Sequence, residues 1–281
     1  MRHDLGEPRF LGKAGFPPTP SCKNTCRVRT AHHYSVSKPS MRLKRFGLTV
    51  LEFFLPRMCL FCGVAVGESA AQAVCPDCEG QIAWVASPLC TCCGRVFQDS
   101  DGGDRLCGDC LTDPPPFERA RAAALYEGPV AEAVKRFKFS RRLAFLPLMQ
   151  NWLQAPHCLE LATGADLIAP VPLHPRRLKQ RGFNQSWLLA QAFPGERLGR
   201  EAVVRVRHTV PQVTLKNPGE RRENVKGAFA VPEPTLVKGK KVLLVDDLFT
   251  TGATARECAR VLKRAGAARV EVLTAARVRH E

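Results

Sequence analysis

The sequence predicts an α/β fold, a mostly parallel sheet flanked by helices, preceded by a small cysteine-rich module held by metal. Three observations carry this. From residue 118 onward, strand-like apolar runs alternate with helix-like segments. One run, VLLV at 242–245, has no polar residue on either face, the mark of a strand covered on both sides. Residues 59–110 hold four C-x2-C pairs, a spacing that suits metal binding.

Residues 1–40 mix Pro, Ser, His, Arg and isolated cysteines without helical or strand period, a composition of disorder. Met41 opens the first patterned segment. Residues 1–40 are therefore expected to be disordered or an extension upstream of a true start at Met41. Cys22 and Cys26 stand in this stretch at C-x3-C spacing and are not assigned a metal. Residues 41–58 are expected to hold a short helix. The longest apolar run, FGLTVLEFFLP (46–56), contains Glu52 and ends in proline. It falls well short of the roughly 20 residues a bilayer span needs, and no small-residue cleavage site follows it. No transmembrane segment is expected and the chain is read as cytoplasmic, where paired cysteines bind metal more often than they form disulfides.

The pairs CLFC (59–62), CPDC (75–78), CTCC (90–93) and CGDC (107–110) are separated by twelve residues within the first half and thirteen within the second. Eight thiolates so arranged satisfy two tetrahedral zinc ions. Glycine follows Cys62 and Cys93, where a knuckle turn needs positive φ. The simplest partition is Cys59, Cys62, Cys75, Cys78 and Cys90, Cys93, Cys107, Cys110; a crossed one stays open. Cys92 is not assigned as a ligand. Four copies in series argue against a redox dithiol, and two evenly built halves against an iron–sulfur cluster. The zinc role is structural: residues 59–111 have few large apolar side chains, so metal binding supplies the folding energy.

TDPPPF, in the stretch 112–117, reads as a linker because consecutive prolines block helix and sheet alike. The main domain is expected over 118–281. RARAAALY (119–126) suits a strand and PVAEAVKRFKF (129–139) a helix with Pro129 in its first turn. LAFLPLMQNWLQ (143–154) suits a helix interrupted by Pro147. DLIAPVP (166–172) is a buried strand and NQSWLLAQAF (184–193) a helix capped by Asn184. AVVRVR (202–207), GAFAV (227–231), KVLLV (241–245) and RVEVLTAA (269–276) are strands. TARECARVLKRAG (254–266) is a helix closed by Gly266.

KVLLV delivers Asp246 and Asp247 to the carboxyl end of its strand, where open α/β sheets bind ligands. Thr250, Thr251, Gly252, Ala253 and Thr254 then offer successive backbone N–H groups at a helix start, a nest for phosphate. Carboxylates repel phosphate but suit ribose hydroxyls. The loop is thus read as holding a 5′-phosphate and the aspartates the sugar. The P-loop and dinucleotide glycine motifs are absent, and too few residues follow Asp247 for a receiver domain.

VLLVDDLFTTGAT resembles the phosphoribosyl-pyrophosphate (PRPP) motif of type I phosphoribosyltransferases. APVPLHPRRLKQRGFNQS (169–186), TVPQVTLKNPGERRENVKGAF (209–229), YEGPVAEAVKRFKF (126–139) and CLFCG resemble the competence protein ComF (ComFC) family, from about Met41 to the end. The resemblance implies a phosphoribosyltransferase type I-like domain behind a double zinc ribbon. It makes Val171, Pro172, Leu173 and His174 the pyrophosphate loop, followed by Arg176, Arg177, Lys179 and Arg181. Gln212, Arg221 and Asn224 fall in a mobile loop, a lid rather than a packed element. Arg181 and Arg221 are the candidates for catalysis, and Mg²⁺ would accompany PRPP.

Net charge is +16, and residues 166–227 hold twelve Lys or Arg against five Asp or Glu. This favours an anionic partner. By resemblance, the chain supports uptake of single-stranded DNA in natural transformation, on the cytoplasmic side and at the inner face of the membrane, with a DNA-import helicase as a further partner. The alternative is an active phosphoribosyltransferase in nucleotide salvage or modification without a DNA role. Phe137, Phe139 and Phe183 lie among basic residues, where they serve either the core or stacking on bases.

Overall fold

The computed structural model describes residues 56–67, 73–98, 102–210 and 217–279. The extension over 1–40 with Cys22 and Cys26, the start at Met41, most of the short helix over 41–58, and Gln212 lie outside them. The last residues of that expected helix are a strand instead: β1 (Arg57–Met58) pairs antiparallel with β2 (Ala65–Val66). Two short helices complete the cysteine-rich part, α1 (Pro76–Gly80) and α2 (Gly108–Thr112). Each starts directly after an extended cysteine, Cys75 and Cys107. Gly63 and Gly94 take φ of 73° and 72°, as the knuckle turns require.

The main domain follows in the order β3 (Arg119–Leu125), α3 (Gly128–Phe139), a 3₁₀ turn (Leu143–Phe145), α4 (Leu146–Trp152), α5 (Pro156–Thr163), β4 (Leu167–Pro170), α6 (Pro175–Arg181), α7 (Gln185–Ala190), β5 (Val204–Arg205), α8 (Pro218–Val225), β6 (Phe229–Ala230), β7 (Lys241–Phe249), α9 (Ala253–Arg264) and β8 (Arg269–Arg277). Four strands form one sheet in the order β3-β8-β7-β4, parallel throughout. β5 and β6 pair antiparallel apart from it.

β7 explains the layering. Its side chains alternate between faces: Leu243 and Val245 pack with Phe137, Met149 and Trp152, while Val242 and Leu244 pack with Cys258, Leu262 and Phe229. α9 covers the second face with Ala255, Cys258, Ala259 and Leu262, all buried, the i, i+3, i+4, i+7 stripe of an amphipathic helix. Three helices depart from the sequence expectations. α5, α6 and α8 each begin with proline, which is tolerated at the first helical position because its missing N–H has no partner there. α8 also corrects the expected lid: part of that loop is a capped helix. The Asn217 side chain accepts from the Glu220 N–H and its amide donates to the Glu220 carboxylate, both at 2.8 Å, so the helix start is capped.

The cysteine-rich part lies against the free edge of β3. The Val85 N–H donates to the Ala123 carbonyl (3.0 Å), that of Leu125 to the Ala83 carbonyl (2.7 Å), and that of Ala120 to the Cys92 carbonyl (2.7 Å). Arg277 at the end of β8 is buried and donates to the Cys93 carbonyl at 2.7 Å. The segment 112–117 is held at both ends. Asp113 meets Arg222 (2.8 Å) and Arg256 (3.3 Å), and buried Phe117 packs edge-on to Phe249.

These bonds make the ribbon a protector of β3. Chelating zinc should raise hydrogen exchange first at the Ala120 and Leu125 amides, while the β7 amides exchange only on global unfolding. Uniform loss of protection along the sheet would overturn this.

Candidate functional site

β7 continues past its apolar run and keeps its register to the end, with Asp246 opposite Thr274 and Phe249 opposite Arg277. Both carboxylates thus reach a cavity of about 740 Å³ at the carboxyl end of the sheet. Ser186 Oγ donates to Asp246 Oδ1 at 2.8 Å, and the Asp247 N–H donates to the same oxygen at 2.9 Å. Asp247 is buried and its Oδ1 pairs with Lys138 Nζ at 2.8 Å. Asp246 is half-buried as a residue, but its carboxyl is enclosed. Burial first, and the neighbouring Asp247 second, push it up to about 6, against the opposing pull of Lys138 and Ser186.

The turn that follows is built around Gly252, with φ of 73° just ahead of α9. A Cβ there would fall 2.7 Å from the Phe249 ring, so glycine is required by backbone and packing alike. Thr250, Gly252, Ala253 and Thr254 line the cavity. Thr251 does not, and its buried Oγ1 has no hydrogen-bond partner among the described residues.

Val171, Pro172 and Leu173 also line the cavity. The Val171 N–H donates to the Val245 carbonyl (2.9 Å), and Asn184 Nδ2 donates to the Val171 carbonyl (3.1 Å). Asn184 also caps α7, accepting from Ser186 and Trp187. His174 is not part of the lining; its ring accepts from the Arg176 N–H and caps α6. Burial, with His208 and nearby arginines, pushes its imidazole pKa down. α6 sorts the basic run by its period: Arg177 and Arg181, four apart, line the cavity, while Arg176 and Lys179 are exposed.

Of the expected lid residues, Arg221 lines the cavity. Asn224 does not: its amide exchanges two hydrogen bonds with the Val210 backbone (3.1 and 2.9 Å), tying α8 to the chain ahead of it. Sequence reasoning missed Lys138, Gln185, Ser186 and Arg205 as lining residues. Gln185 and Ser186 stood inside the quoted RGFNQS; nothing linear marked Lys138, which meets Asp247 only through the fold. Gln185 is 1% exposed and its Nε2 has no partner among the described residues, so its donor capacity is left for a ligand. Altogether six cationic side chains (Lys138, Arg141, Arg177, Arg181, Arg205, Arg221) face two carboxylates.

The cysteines gather as two tetrads, Cys59 with Cys62, Cys75 and Cys78, and Cys90 with Cys93, Cys107 and Cys110, each with its sulfurs within 4.8 Å of one another. Cys92 stands outside both. Four sulfurs about 2.3 Å from a tetrahedral zinc lie about 3.8 Å apart. The Cys62–Cys75 and Cys93–Cys107 sulfurs are 3.6 and 3.7 Å apart, and N–H groups of Cys75, Cys93 and Cys107 donate to sulfur. The donor sets fit two structural zinc ions. No helix among the described residues is long and apolar enough to cross a membrane.

Comparison with known proteins agrees with this architecture. A double zinc ribbon domain matches residues 50–111 and a phosphoribosyl transferase domain matches residues 190–281. The chain is 36% identical over 228 residues to the DNA utilization protein YhgH of Escherichia coli O6:H1, covering 78% of this chain and 96% of that protein. It is 32% identical to competence protein F of Haemophilus influenzae, covering 74% and 92%, and 25% identical to competence protein ComFC of Bacillus subtilis, covering 70% and 80%. Among solved structures, it is similar to the glutamine PRPP amidotransferase of B. subtilis at 20% identity and a TM-score of 0.31, over 50% of this chain and 30% of that one, too distant to carry an argument.

Two outcomes follow from the site's geometry. A carboxyl held more acidic in the unfolded chain than in the fold adds stability below about pH 4 that is lost as pH rises to about 6. Asp246→Asn should therefore be more stable than the parent at pH 7.5, by about 3 kcal/mol at most, with the difference vanishing near pH 4 in urea unfolding. A variant destabilised at both pH values would contradict this. Gly252→Ala should cost more than about 1 kcal/mol, read as a lowered Tm; an unchanged Tm would show that the turn relaxes.

Proposed function

This chain belongs to the ComF family, and on that premise we propose that it binds a phosphoribosyl ligand such as PRPP and supports single-stranded DNA uptake in natural transformation. The observation that carries the reading is the convergence in one cavity of the Asp246–Asp247 pair, the turn at Gly252 and six cationic side chains. The turn at the start of α9 suits a 5′-phosphate. The carboxylates suit the ribose hydroxyls. Arg177, Arg181 and Arg221, with the backbone of Val171–Leu173, suit a pyrophosphate. Mg²⁺ arriving with that pyrophosphate would supply charge neutralisation, facing Asp246 and Asp247.

Transfer chemistry has its means here as well. Departure of pyrophosphate from the anomeric carbon leaves positive charge on the sugar ring, beside two carboxylates, and negative charge on the leaving group, beside Arg181 and Arg221. The related names, competence protein F, ComFC and DNA utilization protein, support DNA as the wider partner. The basic surface suits phosphate backbones. Met58, Val64, Leu106 and Leu111 are exposed on the ribbons, which favours a protein partner there, such as an import helicase. The work then falls on the cytoplasmic side.

Titration with PRPP and Mg²⁺ tests the reading, followed by labelled single-stranded DNA at two salt concentrations. The parent should bind PRPP, and Asp246→Asn with Asp247→Asn should weaken it about tenfold or more, equal to about 1.4 kcal/mol. DNA binding should survive the double substitution and fall steeply with salt. No PRPP binding by the parent would remove the phosphoribosyl reading. Pyrophosphate release with PRPP and an acceptor, without DNA binding, would favour a salvage enzyme instead.

A further inference from the structure

The second cysteine tetrad is tied to the sheet as well as to its own ribbon. Its knuckle, 91–93, offers three successive carbonyls to donors of the main domain. Thr91 accepts from Arg121 Nη2 at 3.1 Å, Cys92 from the Ala120 N–H at 2.7 Å and Cys93 from Arg277 Nη1 at 2.7 Å. Within the same turn the Cys93 N–H donates to Cys90 Sγ at 3.4 Å. Hydrogen bonds in a chain polarise one another, so the bond to the Cys92 carbonyl strengthens the one from the Cys93 N–H.

Arg277 is the unusual member of this set. It is 2% exposed, and its Nη2 has no hydrogen-bond partner among the described residues. Burial opposes its charge. After burial the strongest influences on it are the Cys93 thiolate, which favours the charge, Arg95, which opposes it, and the Cys90 thiolate, which favours it; no carboxylate stands among these. An ionised side chain at this depth needs a counter-charge. Neutral thiols supply none. Four thiolates around one zinc ion carry about two negative charges, and Cys90 and Cys93 are two of the four.

The first tetrad is served differently. Arg136 donates to the Leu60 carbonyl of its knuckle at 3.2 Å, but Arg136 already pairs with Glu132 one turn back on α3. Cys62 is exposed, whereas Cys93 is half-buried.

We propose that Arg277 is the counter-charge of the zinc centre formed by Cys90, Cys93, Cys107 and Cys110, so that the sheet completes the second metal site and this site gives up zinc more slowly than the first. Arg277 touches the backbone of a ligand residue and acts on the metal through charge, as a positioning residue.

Timed zinc release to the colorimetric chelator pyridylazoresorcinol, from the zinc-loaded full chain, tests this. The parent should release zinc in two phases, the second slower by about tenfold or more. Cys62→Ser should remove the fast phase and Cys93→Ser the slow one. Arg277→Gln keeps a donor for the Cys93 carbonyl but no charge; it should speed the slow phase by about tenfold and leave the fast one unchanged. Arg277→Lys keeps the charge and should restore slow release. Release in a single phase by the parent, the opposite assignment in the cysteine variants, or equal acceleration by the Gln and Lys substitutions would overturn the proposal. Should neither Arg277 variant fold, the parent and the cysteine variants decide it.

Discussion

Two adjacent carboxylates at the end of a buried strand are the constraint around which the rest of the cavity is arranged. Like charges in a poorly hydrated place oppose one another and favour protonation. The fold answers from three directions. α3 brings the Lys138 ammonium to Asp247, α7 brings the Ser186 hydroxyl to Asp246, and the chain's own amide turns back on the same oxygen. None of these removes the conflict, since the Asp246 carboxyl stays raised. A fold selected for stability alone would place no acid pair there. Strain of this kind clusters at functional sites.

Helix and strand identity was legible where period and burial agreed. The apolar run at 242–245, the stripe on α9 and the Asn184 cap all predicted their elements. The three missed helices share one feature. Each lies in a stretch where the sequence suggested no helix, and each begins with a proline, Pro156, Pro175 and Pro218. At α8 the clue was present, since Asn217, Pro218 and Glu220 spell a capped start. The aspartates and the Gly252 turn were legible because strand, acids and turn are contiguous in the chain. Lys138 was not, because an ion pair between residues 138 and 247 exists only once α3 and β7 are packed. The basic run 176–181 was legible as charge, but which of its members face inward depended on α6 being helical.

The apparent division between a cysteine-rich module and a phosphoribosyl transferase-like domain is weaker in space than in sequence. The segment 112–117 is pinned by Asp113 and Phe117 instead of swinging free. More tellingly, backbone groups of 83–85 and 92 take the hydrogen bonds that β3 would otherwise offer to water. Arg277 spans the junction. Its guanidinium reaches the Cys93 carbonyl on one side and lies 5.4 Å from the centroid of Phe249 on the other. Phe249 in turn packs where any side chain at Gly252 would have to go. A row of contacts therefore runs from the second cysteine knuckle to the Gly252 turn.

The protection of β3 bears on the fate of the chain when zinc is scarce. A strand whose hydrogen-bonding groups lose their cover is a template for pairing with another chain. RARAAAL, with its alanines, gives such a template little to resist a second copy beyond Arg119 and Arg121. A newly made chain without metal would be at risk of self-association before any ligand reached the cavity. Filling the cysteine tetrads thus protects solubility as well as local folding.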